Sequence, residues 1–366
     1  MLNKNRVVVG MSGGVDSTVA AYRLKEMGYE VIGINMRLWQ DPTLEEIHLL
    51  NDGGCCSLSS VEDARRVCGQ IGIPFYALDF KAVFKETVVD YFIEAYEKAE
   101  TPNPCIACNK YVKFDALLEK AKQLGAYYVA TGHYAKITLN ETTGRYHVLK
   151  SNAAEKDQTY ALYNLTQDQL QHILMPLGDF HSKDEVRAIA AQFDVAMSRK
   201  SDSQEICFIP DQDYVGFLER NGNKKIKKGK FVDTEGNVLG DHLGITHYTI
   251  GQRKGLGISF GKPMYVVAID EINNQVVLGD NEDVFKKVVY ANDLNFIPFD
   301  QFEEGMTCYA KIRYSARPGK CQLFHEANGF VKIVFEKAER AVTPGQAVVF
   351  YSEEALLGGG TIRNIK

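Results

Sequence analysis

Arg6-Val7-Val8-Val9-Gly10-Met11-Ser12-Gly13-Gly14-Val15-Asp16-Ser17 is the stretch that decides how the first half of this 366-residue chain folds. The valine run reads as a buried strand. Beyond the glycines, Val15, Val19 and Tyr22, with Ala20, Leu24 and Met27, recur at helical spacing, and Gly28 is a fitting stop. A strand, a glycine turn and a helix in that order make an anion site. Glycine lets the backbone turn sharply and come close to a ligand. Successive N–H groups and the helix N-terminus then face it with partial positive charge. Ser12 and Ser17 add hydroxyl donors, and Asp16 is a carboxylate suited to a phosphate-bound Mg2+. The loop is not a Walker loop, which would need a lysine after the glycines, and it is not G-x-G-x-x-G. A bare Gly-Gly would be explained by turn geometry alone; the full hexapeptide Ser12 to Ser17 is not.

Working outward, residues 30–36 read as a second buried strand. Ser60 with Asp63 resembles a capping box opening a helix that carries Val61, Ala64, Cys68 and Ile71 on one face. Residues 74–78 are strand-like, 81–98 form a long helical pattern, 112–124 another helix closed by Gly125, and 126–131 a strand. This βαβα rhythm predicts a mostly parallel sheet with helices on both faces. The pattern then changes. Residues 134–139 and 145–150 read as a hairpin, and Ser182 with Glu185 starts a short helix. After about residue 210 hairpin signals dominate, around Glu235-Gly236-Asn237 and around Asn273-Asn274. From about 286 onward short alternating runs predict a small β-barrel or sandwich. The expected organisation is a catalytic domain over 1–210, a central β-rich domain over 211–285 and a C-terminal β-barrel over 286–366.

Composition sets the class: 45% hydrophobic and 24% charged residues, with a net charge of −5. No apolar run reaches bilayer length and the N-terminus has no signal-peptide pattern, so a cytoplasmic location without a membrane partner is expected. The net negative charge argues against indiscriminate nucleic-acid binding, though a local basic face is enough for a specific RNA. The densest basic run, Lys224-Lys225-Ile226-Lys227-Lys228-Gly229-Lys230, is either a solvated loop or a phosphate contact. Eight cysteines in a chain of this kind do not read as a disulfide framework. Cys68, Cys308 and Cys321 fall on apolar patterns and read as core, and Cys55-Cys56 as structural.

Two cysteines stand apart. Thr101-Pro102-Asn103-Pro104-Cys105-Ile106-Ala107-Cys108-Asn109-Lys110 holds two prolines that predict an extended loop, with Cys108 near a following helix N-terminus. There the helix dipole and Lys110 would favour thiolate. Cys207 lies in Ile206-Cys207-Phe208-Ile209, which on its own reads as a core strand.

The Ser-Gly-Gly-x-Asp-Ser loop resembles that of the pyrophosphatase-loop (PP-loop) enzymes, which cleave ATP between the α and β phosphates. The wider set adds Asn-Pro-x-x-x-Cys-Asn, Ala130-Thr131-Gly132-His133-Tyr134, Lys156-Asp157-Gln158 and Ile206-Cys207-Phe208-Ile209. Gly251-Gln252-Arg253-Lys254-Gly255-Leu256-Gly257 and Arg313-Tyr314-Ser315 complete it. Taken in order along nearly the whole chain, these motifs resemble the bacterial tRNA-specific 2-thiouridylases. The resemblance implies an α/β fold: a parallel-sheet, adenine-nucleotide α-hydrolase-like domain followed by two small β-rich domains, the last a β-barrel. It implies ATP-dependent 2-thiolation of the wobble uridine in a tRNA anticodon stem-loop. Adenylation turns the uracil C2 oxygen into a leaving group, and sulfur from a cysteine persulfide replaces it, with a separate protein as sulfur donor. Cys207 would carry the persulfide and Cys108 be the other catalytic thiol. Gly10, Met11, Ser12, Gly13, Gly14, Val15, Asp16, Ser17, Met36 and Gly132 would bind ATP with Mg2+. Asn103, Pro104 and Cys105 would line the target base, and His133, Lys156, Asp157, Gln158, Arg313, Tyr314 and Gln346 would touch tRNA.

Cys105 departs from the pattern, standing where aspartate is common. It creates Cys105-x-x-Cys108, and with Cys207 gives three thiolates for a 4Fe–4S cluster that would deliver hydrosulfide. Two other readings remain: a GMP synthetase-like amidating enzyme with the same loop, which would have no use for the thiol pair, and a non-enzymatic RNA-binding or redox-sensing protein.

Overall fold

The structure is a computed structural model that describes residues 2–39, 58–194, 198–199, 206–259 and 261–365. Cys55, Cys56 and the Ser203 to Glu205 lead-in to Cys207 lie outside the described residues. The chain divides into two compact units, residues 1–89, 104–213 and 354–357 in the first, and 90–103, 214–353 and 358–366 in the second.

The first unit is built on a five-stranded sheet: β1 (Asn3–Gly10), β2 (Glu30–Arg37), β3 (Phe75–Asp79), β4 (Ala126–Ala130) and β7 (Ile173–Leu174). Its order is β3-β2-β1-β4-β7 and every pairing is parallel. Parallel strands need crossovers, and the helices Val15–Glu26 and Leu58–Ile71 supply them. Both helices bury an apolar face on the sheet, with Val19, Ala20, Ala64, Val67 and Cys68 packed beside Val7, Val9 and Val31. Strand order reverses between β1 and β4, and open α/β sheets bind ligands in the crevice at that reversal, outside the carboxyl ends of the strands. The phosphate loop follows β1 and Thr131-Gly132-His133 follows β4, so the fold itself aims both at one crevice.

The hairpin expected over 134–150 is β5 (Ala135–Asn140) antiparallel to β6 (Arg145–Lys150), and Ala355 and Leu356 pair with Leu149 and Val148. Ser182 caps the helix Lys183–Ala190, its Oγ accepting from the Glu185 amide. Two expectations are corrected. Ser60 does not cap a helix; the helix is already formed at Leu58, and Ser60 lies buried inside it. The proline-rich segment is a loop only over Thr101 to Asn103. Helix begins at Pro104 and continues as Pro104–Ala107, a π-helical stretch Cys108–Ala116, and Leu117–Gln123. Proline fits the first turn of a helix, where its missing N–H would have no partner in any case. Ile106, Ala107, Val112 and Phe114 are buried, and that packing starts the helix earlier than the proline count predicts.

In the second unit, β8 (Gly229–Val232), β9 (Val238–His242), β10 (Tyr265–Asp270) and β11 (Gln275–Gly279) form a sheet of order β10-β11-β8-β9. It encloses Phe231, Tyr248, Met264, Val266 and Leu278. Both predicted hairpins are present here, β8 with β9 and β10 with β11. The remaining strands are β12 (Phe285–Phe296), β13 (Met306–Lys311), β14 (Gly319–His325), β15 (Val331–Arg340) and β16 (Ala347–Tyr351), joined antiparallel in the order β12-β15-β14-β13-β16. Residues 358–363 pair with β12. Cys308 and Cys321, opposite each other on β13 and β14, are buried with their sulfurs 3.7 Å apart, as their apolar surroundings predict.

Candidate active site

The phosphate loop is shaped by glycine. Gly13 takes φ +74°, and a Cβ there would stand 2.3 Å from the Ser60 carbonyl oxygen, so neither its conformation nor its space admits a side chain. Gly14 is the N-cap of Val15–Glu26 and offers no side chain to the first-turn amides. Those amides are the donors an anion would take. Ser12 and Ser17 face each other, hydroxyl to hydroxyl, at 3.2 Å, and Ser17 Oγ also accepts from the Ser12 amide. Asn35, buried on β2, donates to the Met11 carbonyl at 2.8 Å and fixes the strand end. Met36 brings its Cε to 3.6 Å from where a Gly10 Cβ would be. Across the crevice Gly132 meets the same loop: a Cβ on it would stand 2.7 Å from the Asp16 backbone and Cβ. The residues expected to bind ATP are thus gathered by one sheet reversal.

Asp16 is already engaged. Its carboxylate accepts Lys183 Nζ at 2.6 and 2.7 Å and the Tyr134 hydroxyl at 2.8 Å. As a carboxylate on the loop it has the right donor chemistry for a phosphate-bound Mg2+, but both oxygens are in use. Neither Lys183 nor Tyr134 stands out in the sequence as a ligand. The one signal for Lys183 is its place as first residue of a helix, where a cation opposes the dipole.

Tyr134 links the loop to the residues expected to touch tRNA. Its amide donates to Gln158 Oε1, and the Gln158 amide donates back to its carbonyl, both at 3.0 Å. Asp157 accepts from the Ser151 amide and the Thr159 hydroxyl, which holds Lys156-Asp157-Gln158 in a fixed turn. Beyond it, Asn109 Nδ2 donates to the Ala161 carbonyl, tying this turn to the cysteine helix. His133 lies against Phe114 of that helix at 5.7 Å between rings and pairs with the Thr131 hydroxyl through Nδ1 at 2.7 Å. Burial, aided by the Lys113 charge, pushes its pKa well below the usual histidine value, so the ring is neutral.

The cysteines occupy contrasting places. Cys108 is 8% exposed and lies beyond the first helical turn, so the dipole at Pro104 does not act on it as expected. Lys110 is turned over the Tyr111 ring, 4.9 Å from its centroid. Cys105, one turn earlier, is exposed. Cys207 is in a turn and not a strand. It is half-buried, while its neighbours Phe208 and Ile209 are buried, Phe208 against Trp39 and Phe84. The bland reading of Cys207 as a core-strand residue is therefore wrong. Among the described residues no group of three His, Cys, Asp or Glu side chains is placed to hold a single metal ion. Cys68 differs in kind: burial pushes its thiol up to about 12, and it packs where a Gly33 side chain would be.

In the second unit, Gln346 Nε2 donates to the carbonyls of Thr101 and Pro102 at 2.8 and 3.3 Å, just ahead of Asn103. The Thr101 amide donates to the Pro344 carbonyl. Gln346 therefore steadies the segment expected to line the target base. Tyr314 is exposed with Lys311 Nζ 5.5 Å from its ring centroid, and Arg313 is half-buried beside it. In the basic run Lys224 pairs with Glu271 and Lys230 with Asp241, which is how a solvated loop behaves.

The chain matches three family models in succession along its length. Residues 5–211 match the model of the tRNA methyl transferase HUP domain, 215–280 its PRC-barrel domain, and 286–362 the aminomethyltransferase beta-barrel domain. The chain is 58% identical over 362 residues to a tRNA-specific 2-thiouridylase MnmA of Clostridioides difficile, covering 99% of each chain. It is 56% identical to that of Acetivibrio thermocellus, covering 99% of this chain and 100% of the relative. With the enzyme of Clostridium perfringens identity is 54% over 365 residues, covering 100% of both. The chain belongs to the tRNA-specific 2-thiouridylase MnmA family.

Proposed function

We propose that the protein uses ATP to replace the C2 oxygen of the tRNA wobble uridine by sulfur. The observation that carries this reading is a single run of contacts: phosphate loop to Tyr134, Tyr134 to Gln158, and Asn109 of the cysteine helix to Ala161. A nucleotide in the loop and a base presented to Cys108 would be served by one connected surface. The C2 oxygen attacks the α-phosphorus, pyrophosphate leaves, and the oxygen becomes part of a good leaving group. Mg2+ carried by the phosphates would meet Asp16 and offset the charge of the departing pyrophosphate. The terminal sulfur of a Cys207 persulfide attacks C2 and expels AMP. Thiolate at Cys108 then attacks Cys207 Sγ, leaving the sulfur on C2 and a Cys108–Cys207 disulfide that an external thiol must reduce. An alternative within the same residues has Cys108 first freeing hydrogen sulfide from the persulfide.

A persulfide-carrying donor protein reloads Cys207, and the half-buried turn that holds it is accessible to such a partner. Asn103, Pro104 and Cys105 would line the uracil, with His133, Lys156, Arg313, Tyr314 and Gln346 serving the anticodon stem-loop. The test is mass analysis of tRNA nucleosides after incubation with ATP, Mg2+ and a sulfur donor. 2-Thiouridine is the expected product, and its absence while Cys207 is loaded with sulfur sinks the proposal.

A further inference from the structure

The loop formed by residues 10–17 contains no lysine or arginine. A pyrophosphate moiety brings several negative charges into it, and the partial charge of a helix N-terminus, about half an elementary charge, falls well short of them. Mg2+ carried by the phosphates offsets part of this charge, and any side-chain cation that offsets the rest has to come from elsewhere in the chain. We propose that Lys183 supplies it: when the pyrophosphate moiety of a nucleoside triphosphate enters the loop, Lys183 leaves Asp16 and pairs with the phosphates. This rests on the nucleotide reading above and adds a phosphate-binding residue to it.

Three observations carry the assignment. Lys183 is the first residue of its helix, right after the Ser182 cap, where a cation opposes the dipole and helix stability gives no reason for one. Its side chain is only 10% exposed. Withdrawing an ammonium from water is costly unless it is paired. Its partner is the loop's own carboxylate, gripped through both oxygens at 2.6 and 2.7 Å. Local rules broken without a local gain are characteristic of a functional site. The ion pair does what the nucleotide would do, neutralising the lysine at the anion site while no anion is present. A polyanion outcompetes one carboxylate for it, and rotation about the lysine's own methylenes is enough to make the exchange. Asp16 keeps its hydrogen bond from Tyr134, which is 1% exposed and fixed through Gln158, so the loop holds its shape as the lysine departs.

Binding of ATP, inorganic pyrophosphate and adenosine to the full chain tests this, using Lys183→Met, Lys183→Arg and Asp16→Asn. Lys183→Met should weaken ATP and pyrophosphate at least tenfold and leave adenosine unchanged, with Lys183→Arg recovering most of the loss. In Mg2+-free buffer Asp16→Asn should bind pyrophosphate at least as tightly as the native protein, because the competing carboxylate is gone. Native pyrophosphate affinity in Lys183→Met overturns the proposal, as does an equal loss of adenosine, which would make the residue merely structural. If Lys183→Met does not fold, Asp16→Asn decides: weaker pyrophosphate binding by this variant than by the native protein in Mg2+-free buffer overturns the proposal. A native protein that binds neither ATP nor pyrophosphate would instead bring down the nucleotide reading, and this proposal with it.

Discussion

The phosphate loop and the cysteine helix lie in the same unit and solve opposite problems. The loop presents backbone: its shape depends on residues without side chains, and its amides are left for a ligand to satisfy. The cysteine helix presents one side chain and withdraws it, with Cys108 buried beyond the first turn and its neighbour Asn109 held by the Ala161 carbonyl. A nucleotide is common and highly charged, so an open cradle suits it. A reactive thiol is exposed to oxidation and to wrong partners, so a site that admits sulfur only with the proper base in place suits it. The π-helical turn at Cys108–Ala116 belongs to this second design, since such turns re-aim side chains and concentrate at functional sites.

The largest effect should separate the two regions completely. Cys108→Ser and Cys207→Ser should each abolish 2-thiouridine formation, while both variants still bind ATP with native affinity. Nucleoside mass analysis beside calorimetric titration reads the two. Native thiolation by either variant removes its cysteine from the chemistry, and parallel loss of ATP binding would mean that loop and helix are not separable.

Next in size is the reverse experiment. Gly132→Ala places a methyl 2.7 Å from the Asp16 backbone, so the loop must shift. Overpacking of this kind costs about 1–3 kcal/mol, which corresponds to roughly five- to 150-fold in ATP affinity if the strain falls on the bound geometry. Labelling of Cys108 by an alkylating reagent should be unchanged. An ATP affinity within twofold of native would show that the β4 end does not form a wall of the nucleotide site.

How far each region can be read from sequence follows from the same contrast. The strand, loop and helix around Gly10 to Ser17 are set by local chemistry, and so is the parallel sheet they begin. The start of the cysteine helix is set by tertiary packing, which burial of Ile106, Val112 and Phe114 supplies and proline spacing hides. Ser60 fits a capping pattern yet sits inside its helix, its carbonyl closed over Gly13. Lys183 is 167 residues from Asp16, and no local pattern can bring them together. Sequence resemblance singled out the two thiols, while their surroundings, one buried in a helix and one half-buried in a turn, come only from the fold.

A smaller effect lies where the two regions meet. His133 packs on the cysteine helix and follows the glycine that touches the loop, and its pKa is depressed by burial and by Lys113. The unfolded chain takes up a proton near pH 6.5 and the folded protein does so only at much lower pH. Stability is therefore unaffected above about 6.5 and falls as pH drops below it, by up to about 1.4 kcal/mol per unit. His133→Gln should flatten that slope by up to one proton in urea denaturation between pH 5 and 7. An unchanged slope would mean that the histidine is solvated.

The smallest effect concerns the approach to the base. Gln346 holds the Thr101 and Pro102 carbonyls, and Gly345, at φ +88° with Thr101 2.9 Å from its missing Cβ, lets that turn come close. Removing the amide leaves two carbonyls short of a donor, a loss of about 1 kcal/mol that water partly repairs. Gln346→Ala should raise the KM for tRNA about fivefold or less, with kcat and ATP affinity near native. A residue that only touched tRNA would give the same KM. Hydrogen exchange decides between the two, because a positioning role predicts faster exchange at Asn103 and Thr101 in the protein without tRNA. If exchange there is unchanged while KM rises, Gln346 acts on the RNA directly. The base-lining segment would then be rigid on its own account, like the phosphate loop, and the division between a preformed cradle and a supported cysteine site would have to be drawn further along the chain.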